Sequence, residues 1–197
     1  MTAHAWEFSL PPQLLQRGFW IYAWKIVGPR DEHLCYVGMT GDVTRVAQSP
    51  FGRATSTLGD NKNANTLRKT LEAKGIDPKR CKALTLAAYG PLYDADDSKH
   101  FMEHWHKVRS LERALFDALK DDGFEPINRR RPDGRPDYDP KMLDSIRAAF
   151  ATHFPRPRLQ PVAGNGLPQR IVTDAGLDPR RYSHSLFRYR CRRRREP

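Results

Sequence analysis

Cysteine is scarce in this chain. Cys35, Cys81 and Cys191 lie far apart, and no two form a CxxC pair. That spacing argues against a disulfide framework or a structural zinc knuckle and fits a reducing compartment. Long apolar runs are missing too: no stretch approaches the roughly eighteen residues that a membrane helix needs. The opening segment MTAHAWEFSLPPQLLQR lacks the charged-then-apolar order of a secretory leader, and no internal repeat is visible. These absences predict a cytoplasmic protein with no membrane partner.

Positive charge is abundant, with a formal net charge of +11. Such a surplus favours a polyanionic partner, nucleic acid ahead of an acidic membrane surface. It is unevenly placed. Residues 151–197 hold eleven arginines against Asp174, Asp178 and Glu196, so most of the surplus lies there. The segment RRYSHSLFRYRCRRRR interleaves arginine with aromatic rings, a pattern suited to phosphates and exposed bases. Arg192 and Arg193 are the candidate phosphate contacts in it. The composition shift at Pro155 divides the chain into a domain at 1–154 and a Pro/Arg-rich basic tail at 155–197, in which Asp178-Pro179 opens a candidate short helix.

Aromatic and β-branched residues dominate GFWIYAWKIV (18–27) and recur in LCYVGM (34–39), so both read as strands. The link between them, about six residues, is too short for a parallel crossover, which makes the pair antiparallel. Ser49-Pro50 reads as N-cap and first turn of a helix at 49–58. Asn63 or Asn65 opens another that runs to Gly75, and RCKALTLAAY (80–89) reads as a third strand. Asp97 or Ser98 starts a long helix, 98–121, closed by Gly123. Asp139-Pro140 starts the last, ending near 153. The expected fold is α+β: a small three-stranded, mostly antiparallel sheet flanked by helices, with the basic extension after it.

One residue of the long helix stands out. Phe101, Trp105, Val108, Leu111, Leu115, Phe116 and Leu119 form an apolar stripe at helical spacing, and Glu112 falls on it. A carboxylate among core residues is costly unless a cation or hydrogen bonds compensate. It is therefore either half of an ion pair with an arginine of a neighbouring element or a metal ligand facing a cleft.

Taken in order, Tyr22 within Trp20-Ile21-Tyr22, Tyr36 opening Tyr36-Val37-Gly38, Arg53 on the next helix, Glu112 on a later one and Asn128 beyond it resemble the GIY-YIG nuclease domain. The resemblance covers roughly residues 18–130. It implies a metal-dependent endonuclease that hydrolyses DNA phosphodiester bonds, with RNA not excluded. Tyr22 would act as general base or orient the attacking water, and Tyr36 would support it or hold a phosphate oxygen. Arg53 would grip a phosphate oxygen with its forked donors. Glu112 would hold one Mg²⁺ (or Mn²⁺), and Asn128 would fix the loop geometry. Gly38 would let backbone approach the substrate, and Arg129, Arg130 and Arg131 would grip phosphate beside the site. The chain departs from the family pattern at three places. Trp20 stands for the first motif's glycine, although Gly18 lies two residues earlier. Met39 stands where a lysine often follows the second motif, and Thr57 where many members carry histidine. Arg45 is the alternative to Arg53. The competing function is a non-catalytic nucleic-acid-binding protein on the same fold.

His100-Phe-Met-Glu103-His104 also matches the H-x-x-E-H pattern of zinc peptidases. It lies at the start of its helix with no evident third ligand, and its histidines read better as surface or rim residues.

Overall fold

The structure, a computed structural model, describes residues 5, 7–44, 46–60, 65–128, 137–155 and 157. They belong to one compact unit, Met1–Arg158; the second unit, Leu159–Pro197, lies outside them, and with it the expected tail helix, Arg192 and Arg193.

Strands β1 (Phe19–Val27) and β2 (His33–Met39) form an antiparallel hairpin in which Tyr22 faces Gly38 and Trp24 faces Tyr36. Strand β3 (Ala83–Tyr93) pairs antiparallel with the other side of β1, with a register shift between Phe19 and Ile21. A fourth strand, β4 (Glu125–Pro126), runs parallel to β2. The sheet is therefore four-stranded and mixed, in the order β3-β1-β2-β4: the three expected strands pair antiparallel, and β4 adds a fourth, parallel one that the expected three-stranded, mostly antiparallel sheet lacks. Two residues, one of them proline, have no alternation to read.

Helices cover both faces. Tyr22, Trp24 and Ile26 pack with Leu34 against Ala54 of α1 (Pro50–Leu58) and Leu67 and Leu71 of α2 (Thr66–Ala73). The alternate residues Phe19, Ile21, Ala23, Cys35 and Val37 pack against α3 (Phe101–Asp121) and α4 (Pro140–His153). Because side chains alternate along a strand, β1 is apolar on both faces, and the sheet is the middle of three layers.

Several helix ends follow local chemistry. Ser49 Oγ accepts from the Gly52 amide at 3.2 Å, and Asp139 Oδ1 from the Lys141 amide at 2.9 Å. Asn65 stands at the cap position of α2, whereas Asn63 lies outside the described residues. Helix α3 begins later than expected, because Asp97 Oδ1 accepts from the His100 amide at 3.2 Å and holds the chain in a cap up to that residue. Gly123, with φ of 93°, follows its end.

Candidate active site

The β1–β2 register builds the first wall. Tyr22 is fully buried, and its ring points across the hairpin at Gly38. A Cβ on Gly38 would lie 2.4 Å from Tyr22 Cζ and 2.5 Å from its Oη. The space at Gly38 is thus taken up by the Tyr22 phenol rather than left open for substrate backbone. Gly41 does the same for Phe19, whose Cε1 would lie 2.4 Å from an added Cβ.

A cleft of about 290 Å³ opens beside this wall. Tyr22, Tyr36 and Gly38 come to it from the hairpin, Arg53 from α1, and Trp105, Arg109 and Glu112 from α3. Met39, Gly41, Asp42 and Val43 complete its rim. Residues 22, 36, 53 and 112, separated along the chain, therefore meet in one concavity. Glu112 is half-buried and faces this cleft instead of the core.

The electrostatics are those of a phenol pair beside two arginines, Arg53 and Arg109, and two carboxylates, Asp42 and Glu112. Burial pushes the Tyr22 hydroxyl far above its ordinary range; Tyr36 and Glu112 act in the same sense, while Arg53 opposes them through its charge and a hydrogen bond. Tyr36 is raised as well, first by burial and then by Glu112. Asp42 behaves differently. Burial would raise it, but bonds from the Thr44 hydroxyl and the Thr44 and Val46 amides, with the charge of Arg53, hold it below the usual carboxylate range.

Asn128 is not a lining residue. Its Oδ1 accepts from the Val37 amide at 3.1 Å, and its Nδ2 donates to the Val37 carbonyl at 2.7 Å. It supports the strand that carries Tyr36 and Gly38. Thr57 is buried, and its hydroxyl donates to the Ala54 carbonyl of its own helix at 2.6 Å, so it too stands away from the cleft. Trp20 is buried, with its amide donating to Thr40 Oγ1 at 2.9 Å. Arg45, Arg129, Arg130 and Arg131 lie outside the described residues.

Asp42, Trp105 and Arg109 were not among the expected site residues. A signal for the last two exists in the sequence, since 105, 109 and 112 share one helical face.

Among the described residues no group of three His, Cys, Asp or Glu side chains gathers as a metal cluster. Magnesium needs no such cluster, because it keeps several waters and takes one or two carboxylates together with substrate oxygens. Glu112 and Asp42, which both line the cleft, are the carboxylates there that could hold such an ion. The H-x-x-E-H residues are engaged elsewhere: His100 Nδ1 lies 3.1 Å from Asp97 Oδ2, Glu103 Oε1 accepts from Lys107 at 2.6 Å, and His104 stacks on Tyr93.

Compared with family models, curated proteins and solved structures, the chain matches none of them. No helix among the described residues is long and apolar enough to cross a membrane.

Proposed function

We propose that this protein is a metal-dependent endonuclease that hydrolyses DNA through a site of the GIY-YIG kind. The observation that carries the reading is the meeting of Tyr22, Tyr36, Arg53 and Glu112 in a single cleft from four separate elements. The +11 charge supports a polyanionic substrate.

In this reading Glu112 holds one Mg²⁺ or Mn²⁺, which when bound supplies positive charge against the phosphoryl and leaving oxygens. Arg53 binds a non-bridging phosphate oxygen through its planar fork. Water adds to phosphorus, the P–O bond to the leaving oxygen breaks, the proton lost by the water passes to solvent and the leaving oxygen takes one from solvent, giving a phosphomonoester and a free hydroxyl. Tyr22, whose hydroxyl burial holds in the neutral form, accepts a hydrogen bond from the attacking water at Oη and aims it. Tyr36 sits beside it, and Asn128 keeps their strand in register.

The test is nicking of supercoiled plasmid with Mg²⁺ or Mn²⁺, comparing the wild type with Tyr22→Phe and Arg53→Ala. Loss of nicking in both, with DNA binding retained, is expected. A wild type that binds DNA but never nicks it identifies the non-catalytic binder instead.

A further inference from the structure

Helix α3 brings a second arginine into the cleft. The Arg109 guanidinium carbon lies 4.6 Å from the centre of the Trp105 ring. Both residues line the cleft with Glu112, and Arg53 lines it from α1. Trp105 is itself anchored, being nearly buried in the core beneath α3. An arginine held against an indole face gains cation–π attraction, and the planar fork of a guanidinium matches the geometry of a phosphate. Less rotamer freedom then remains to be lost when an anion arrives.

One phosphate needs one such fork. A cleft with an arginine from each of two helices, and a carboxylate one turn along from the second, suits a strand that presents phosphates in succession. We infer that Arg109, stacked on Trp105, binds the phosphate next to the scissile one. The substrate is then an internal stretch of strand rather than a terminal phosphomonoester. This inference rests on the nuclease reading for the position of the scissile phosphate.

The test measures binding of a fluorescein-labelled duplex against salt concentration for wild type, Arg109→Gln, Arg109→Lys and Trp105→Phe, alongside plasmid nicking. Each phosphate contact contributes about 0.9 to the slope of log K against log salt. Arg109→Gln should lower that slope by about one contact and raise KM about tenfold, more than it lowers kcat. Arg109→Lys should keep the slope but bind more weakly, and Trp105→Phe, which retains a ring, should fall between it and wild type. An Arg109→Gln protein with wild-type slope and affinity overturns the inference, even if it is less stable. If the wild type never nicks but the slope still drops, the nuclease reading fails while the phosphate contact stands.

Discussion

Asn128 closes the open edge of β2 by presenting its side-chain amide to both the N–H and the C=O of Val37. The parallel ladder from β4 reaches only Leu34 and Cys35, and the Ile127 amide adds a bond to the Cys35 carbonyl. The Asn128 amide then stands in for the next backbone unit. Since Val37 lies between Tyr36 and Gly38, a residue outside the cleft fixes two that line it.

Removing that amide should therefore weaken fold and site together. Asn128→Ala leaves two buried backbone groups of Val37 without partners, at a cost of about 1–3 kcal/mol. Asn128→Asp keeps the acceptor, loses the donor and should fall between. Urea unfolding reads the stability order. Nicking should fall in the same order, although neither change alters a lining residue.

Gly38→Ala places a methyl where the end of the Tyr22 ring now sits. The hydroxyl is not the sole obstacle, so Tyr22→Phe cannot relieve it. The expected cost is about 1–3 kcal/mol, typical of overpacking, with loss of nicking. Tyr22→Ala should remove most of the penalty of Gly38→Ala. A double-mutant cycle in denaturant checks this, with a coupling of about 1 kcal/mol or more expected for groups in direct contact.

Cys35 gives a pH dependence of known sign. Burial, then the Glu125 charge, pushes its thiol up to about 12. An unfolded thiol ionises near its ordinary value of about 8.5. Between these values the unfolded chain binds fewer protons than the folded one, so stability falls as pH rises through that window and is unaffected below it. The full loss is about 5 kcal/mol on the order-of-magnitude scale of 1.4 kcal/mol per unit. Unfolding of wild type and Cys35→Ala from pH 8 to 11 should show the steeper alkaline decline in the wild type.

Much of this arrangement is legible in the residues. WIYAW and CYVG carry the hairpin because both are too apolar for anything but a central pair, and Ser49-Pro50 and Asp139-Pro140 announce their helices through capping chemistry. Strand β3 runs past the expected end at 89 to Tyr93, across Gly90 and Pro91, a dipeptide that reads as a break. It is an edge strand, where a missing N–H is tolerated. Strand β4 is too short to carry a pattern. In the site, Glu112 is legible because it interrupts a stripe. Trp105 merges with the same stripe and Arg109 shares the face of Glu112, but the sequence does not say where α3 passes the mouth of the cleft. Gly38 is legible as a special position, but its cause, the Tyr22 ring, follows only from the strand register.

The most direct measurement is metal-dependent nicking of supercoiled plasmid by wild type beside Glu112→Ala, with DNA binding measured on both. The account predicts nicking that requires Mg²⁺ or Mn²⁺ in the wild type and a loss of at least a hundredfold in the variant, with binding retained, as expected when a principal charge-stabilising group is removed. Equal nicking by both proteins, or binding without nicking by both, would contradict it and return Glu112 to the role of an ion-pair partner.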